Sequence, residues 1–182
     1  MTAASVSPTG IASILERLPD YARFDRVQSA HDEEAPYRLA IGRMVKAWGD
    51  LLLDVVEVRP SPLNRNQGGM VDALLQAIGE IFQALNADGE INVGSVRGPQ
   101  LRSLRSCDSD LLHLMEGCER ITLTLKQKEF AGAWIDAESK PLYAALRRLH
   151  KQLSQRNRVL SLRESLTLPE LDLDCYSPED LA

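Results

Sequence analysis

The chain has 182 residues, a net charge of −5, 44% hydrophobic and 26% charged residues. That is one domain's length with enough apolar mass for a real core, and it is too acidic overall to coat nucleic acid with its whole surface. Three cysteines (Cys107, Cys118 and Cys175) make no paired framework, the first residues do not read as a secretory signal, and no apolar run approaches ~18 residues, so the expectation is a cytoplasmic protein without a disulfide scaffold or membrane contact.

Residues 1–8 are small and polar, and are expected to fray as a flexible N-terminus. Ser7 or Thr9 can cap a short helix carrying Ile11, Ile14, Leu15 and Leu18, which Pro19 ends. A weaker helical piece follows over 20–30, with Tyr21, Phe24 and Val27 on one face. Asp32 then reads as the N-cap of a long helix, with Glu33 and Glu34 at the positive end of its dipole and Pro36 in its first turn. Its apolar stripe runs from Ile41 through Val45, Trp48 and Leu52 to Val58, and Pro60 and Pro62 stop it.

Residues 59–69 have the Pro, Asn, Ser and Gly content of a linker. Over 70–85 the spacing of Val71, Leu74, Ile78, Ile81, Phe82 and Leu85 predicts a helix, whose alanines (Ala73, Ala77 and Ala84) let a neighbour approach closely. A loop over 87–98 and a short turn over 99–105 precede a helix capped by Asp108 or Asp110, with Leu111, Leu114, Met115, Cys118, Ile121 and Leu125 inward. Residues 120–126 alternate with period two and contain threonines, a strand signal. The helical stripe continues through Ile121 and Leu125, so helix is the reading kept, with a small β-hairpin around 119–135 as the alternative. The sum is an all-α, single-domain bundle of five to seven helices over 9–166, with an acidic C-terminal tail over 167–182. Trp48, Leu52, Leu74, Ile78, Ile81, Leu114 and Leu149 are expected in its core.

The most polarised stretch is 139–163. As a helix it places Leu142, Leu146, Leu149, Leu153 and Leu160 on one side and Lys140, Arg147, Lys151 and Arg158 on the other, with Arg148, Arg156 and Arg163 flanking. No Asp or Glu lies between Lys140 and Arg163, whereas 164–182 holds six acids and no Lys or Arg. Two roles suit this tail: screening the basic helix until a partner competes, or serving as a docking peptide whose Ser177 resembles a helix N-cap. Leu146, Leu149, Leu153 and Leu160 also form a short heptad seam suited to a homodimer, with Arg156 at one seam position.

Other candidate chemistry is thin. Cys107 and Cys118 lie ~16 Å apart along one helix and His113 points away, so they do not make a metal site. Asp50, Asp54 and Glu57 share a face, and Glu116 pairs with Glu119 elsewhere, a pattern that can hold Mg²⁺ but is more often a solvated face. Residues 86–92 resemble part of a calcium loop, but Ala84 and Ser95 stand where acidic ligands belong, and a helix-ending turn at Gly89 is the simpler reading. His31 beside Asp32 has no nucleophile or phosphate-loop motif for company, and Arg97, Arg102 and Arg105 make a second basic cluster. The expectation is therefore a non-enzymatic adaptor or regulator without cofactor or metal, which binds a protein partner through Lys140, Arg147, Arg148, Lys151 and Arg158. Nucleic-acid binding by the same face is the alternative, and a metal-dependent hydrolase using the carboxylates of helix 33–58 is the weaker one.

Overall fold

Amphipathic stripes of this length must be buried against one another, and in the computed structural model each becomes one long helix. It describes residues 10–58, 63–93, 96–127 and 131–163. A short α1 (Ile11–Leu15) and a 3-10 turn (Tyr21–Arg23) lead into α2 (Val27–Val58), α3 (Arg65–Leu85), α4 (Pro99–Gln127) and α5 (Ala131–Leu160). The fold is the expected all-α bundle, with five α-helices among the described residues. The hairpin alternative is not adopted, since 121–127 and 131–135 are helical.

Side-chain pairings fix the directions. A Cβ at Gly42 would touch Phe82 and Leu85 at 3.7 Å, and one at Gly49 would touch Ile78, so α2 and α3 run antiparallel in close contact. Gln67 reaches Gly132 and Asp136, while Asn157 reaches the Ala84 carbonyl, so α3 and α5 run parallel. Thr124 meets Trp134 and Asp108 meets Arg156, so α4 and α5 run antiparallel. Both α2 and α5 pack against α3 and α4, and the connection over 86–98 carries the chain across the bundle.

The core follows the sequence stripes. Trp48, Leu52, Leu74, Ile78, Ile81 and Leu149 are buried, but Leu114 is half-buried, and Leu111 and Met115 take the inward positions of its helix. Leu146, Leu149, Leu153 and Leu160 are at most 2% exposed. The seam that suggested a homodimer is therefore filled by the chain's own helices. A second, smaller cluster closes one end, where Phe24, Ile91, Val96, Leu104, Leu160 and Leu162 pack together.

Several element ends depart from expectation for identifiable reasons. Asp32 does not cap a helix: α2 begins at Val27, so Asp32 lies in its second turn bonded to Gln28, and Pro36 sits well inside. The supposed linker holds the start of α3, because Asn64 and Gln67 form a reciprocal capping box at 3.0 Å each way. The turn over 99–105 and the helix after it are one helix, which leaves Asp108 in its interior with a different task. At the far end α5 closes with Ser161 at φ 63°, the Leu162 amide on the Asn157 carbonyl and the Ser161 amide on that of Arg158. This is a Schellman turn with serine where glycine is usual. It folds Arg163 back onto Asp88, with which it exchanges two backbone hydrogen bonds of 2.8 and 2.9 Å.

Candidate functional site

The outer face of α5 carries the residues expected to bind. Lys140, Arg147, Arg148, Lys151 and Arg158 are all exposed. From Lys140 to Arg158 the line runs ~27 Å along the helix. Arg147 ion-pairs with Glu80 on α3, and Asp110 on α4 accepts from Gln152 beside the line. The face is thus a row of separate cations with acids at its margins. Arg102 and Arg105, near the start of α4, are exposed. The antiparallel pairing of α4 with α5, which sets Asp108 against Arg156, puts them at the Arg158 end of that row.

Arg156 leaves the basic face altogether. It is 1% exposed, and it lies at the centre of a network that joins α2, α4, α5 and the 3-10 turn. Its Nε donates to Asp108 at 2.8 Å, Nη1 donates to Glu34 Oε2 at 2.6 Å, and Nη2 donates to Glu34 Oε1 and to the Tyr21 oxygen. Tyr21 in turn donates to Asp108. Arg38 adds a second guanidinium on Glu34 and donates to the Ala84 and Leu85 carbonyls at the end of α3 and to Asn157. Two cations meet two carboxylates, so the buried charge balances. The Tyr37 ring lies 5.0 Å from the Arg156 guanidinium carbon, and its buried hydroxyl has no hydrogen-bond partner among the described residues.

Electrostatics agree with a closed ionic knot. Burial pushes the Glu34 carboxyl up, but Arg156 and Arg38 outweigh it and hold the group below the ordinary carboxylate range. Burial pulls the Arg156 guanidinium down, but Glu34 and Asp108 outweigh it and hold the group charged. Burial pushes both the Tyr21 and the Tyr37 phenols up. The shifts of Glu34, Arg156, Tyr21 and Tyr37 lock their present protonation states, whereas burial pulls the Arg38 guanidinium down against the opposing pull of Glu34. Sequence periodicity did place Arg156 on the leucine seam, which was the one available signal that it turns inward.

The remaining candidates do not converge. Cys107 and Cys118 are buried free thiols, with burial pushing Cys118 up to about 12, and His113 is exposed. Asp50 and Asp54 are exposed, Asp50 is paired with Lys46 at 2.6 Å, and the Glu57 side chain lies outside the described residues. Among the described residues no group of three or more His, Cys, Asp or Glu can hold a metal ion. In the calcium-like loop, Gly89 has φ 135°, as its turn requires, while Ser95 lies outside the described residues. The acidic tail lies outside them too. No helix among the described residues is long and apolar enough to cross a membrane. Comparison with protein-family models, with curated proteins and with solved structures finds no match to this chain. The functional reading therefore depends on the geometry alone.

Proposed function

We propose that the protein is a non-catalytic helical module that binds a partner protein, as an adaptor or regulator, and that Lys140, Arg147, Arg148, Lys151 and Arg158 read acidic groups on that partner. The observation that carries this reading is the exposure of all five along one helix whose opposite side is fixed in the core. Steps of seven, four and seven residues between Lys140, Arg147, Lys151 and Arg158 match the turns of a second helix laid alongside. Arg147 already holds one carboxylate, Glu80, which is in keeping with acidic groups as the ligand of the row. The two acids buried in the ionic knot are bonded to Arg156 and serve no reaction in this proposal. A cytoplasmic setting fits the buried free thiols of Cys107 and Cys118.

A nucleic acid is the second reading, favoured by the unbroken absence of acids between Lys140 and Arg163. Glu80 and Asp110 at the margins favour a protein over a polyphosphate. Fluorescence anisotropy on the full chain separates them, with three probes: a helical peptide bearing glutamates at i, i+7, i+11 and i+18, a duplex DNA and a single-stranded RNA. The peptide should bind, and Arg147→Glu with Lys151→Glu should abolish its binding. Nucleic-acid affinity that falls ~500-fold between about 50 and 200 mM salt, as five neutralised phosphates require, would install the second reading instead. If no probe binds, the α5 face is not a recognition surface.

A further inference from the structure

On a different side of the bundle, α2 and the end of α3 enclose a groove of about 800 Å³. Its floor is apolar: Leu39 is 55% exposed, Phe82 is half-buried, and Leu85 lies beneath them. Arg43 and Lys46, both exposed, form the rim on the α2 side; Arg43 makes no ion pair among the described residues, and the Lys46–Asp50 pair is an exposed one of the kind worth little in water. Asp88 stands at the other end of the groove.

The path of the chain supplies the occupant. The Schellman turn at Ser161 brings Arg163 into an antiparallel bridge with Asp88. In antiparallel pairing one strand advances as the other retreats, so a continuation of the Asp88–Arg163 pairing would lead toward Ala87, another groove-lining residue. Beyond it, residues 170–174 read Glu-Leu-Asp-Leu-Asp. Extended, such a run sends Leu171 and Leu173 to one side and its three acids to the other. This is the complement of an apolar floor with a basic rim. Reach is ample: eight residues from Arg163 to Leu171 span up to ~28 Å, whereas the six steps from Phe82 to Asp88 would span at most ~21 Å even if fully extended.

We infer that the groove between α2 and α3 is the docking site of the chain's own acidic C-terminal segment, residues 164–182. The segment lays its leucines on Leu39 and Phe82 and its acids toward Arg43 and Lys46. Docking therefore covers the groove against other apolar ligands and leaves the α5 face clear, so it stands or falls independently of the function proposed above.

The test uses the full chain with a nitroxide on Cys175, the other two cysteines being at most 2% exposed. Amide signals of residues 35–46 and 82–88 should be selectively broadened. The signals should return in Arg43→Glu with Lys46→Glu, two exposed positions at which the bundle stays intact, and should return in part at about 1 M salt, where screening acts within ~3 Å. Absence of broadening overturns the proposal. So does broadening along Lys140–Arg158, which would place the segment on the basic helix. Broadening that appears only when labelled chains are mixed with unlabelled, isotope-enriched ones overturns it as well, in favour of the tail of a second copy.

Discussion

A guanidinium that is 1% exposed must be matched donor by donor, and Arg156 is matched by Asp108, Glu34 and Tyr21. Arg156→Ala leaves Asp108 in the interior without its cation and Glu34 with Arg38 alone, and a urea titration should read a loss of about 3–5 kcal/mol. Lysine should restore little of it, since an ammonium cannot reproduce the planar fork. Glu34 fixes the sign with pH. A carboxyl held low in the folded state stabilises the fold above its unfolded value of about 4.3 and surrenders that contribution as pH falls through its folded value. In Arg156→Ala, burial meets less opposition, and Glu34 takes up its proton at higher pH. The deficit of the variant should therefore shrink between pH 7 and about 4; a deficit constant across that range would assign the loss to packing. The sequence put Arg156 on the seam, but nothing in it named Glu34 or Asp108. They lie 122 and 48 residues away, beyond the range of any periodicity.

Among the elements, the C-terminal half of α4 is where strand and helix signals collide. Its alternation comes from Thr122 and Thr124, and both hydroxyls turn back onto the helix: Thr122 donates to the Cys118 and Glu119 carbonyls, and Thr124 to that of Ile121. This is the local bonding that lets threonine sit in a helix. Ile121 and Leu125 meanwhile keep the inward stripe, so tertiary burial decides the matter. Thr124 also accepts from the indole nitrogen of Trp134 at 2.9 Å, tying α4 to α5. Thr124→Val keeps the shape and removes that acceptor from a fully buried indole, so it should cost about 1–3 kcal/mol in the same titration. A neutral result would mean that the indole finds water. The start of α3 was hidden in the sequence by Gly68 and Gly69, whose flexibility reads as linker; the capping box one turn earlier was there to be seen, in Asn64 and Gln67.

At the scale of the whole molecule, periodicity revealed how many faces had to be buried and which residues lay on them. It could not reveal which helix meets which, because an apolar stripe carries no address. The addresses are polar: Gln67 for Gly132, Asn157 for Ala84, Arg156 for Glu34. That last contact also governs when the fold can close. A loop spanning 122 residues must be drawn in before Arg156 reaches Glu34, so the ionic knot should assemble after the folding barrier has been crossed. In stopped-flow kinetics Arg156→Ala should then speed unfolding and leave the refolding rate nearly unchanged, whereas slowed refolding would place the contact in the nucleus. During synthesis the same separation becomes a waiting time. At about 5–20 residues per second, Glu34 is made roughly 6–24 s before Arg156. Over that interval Glu34 has Arg38, four residues on, as a partner, but Asp108 cannot be buried without leaving it short of a cation, so the nascent chain has reason to keep this end of the bundle open until α5 arrives.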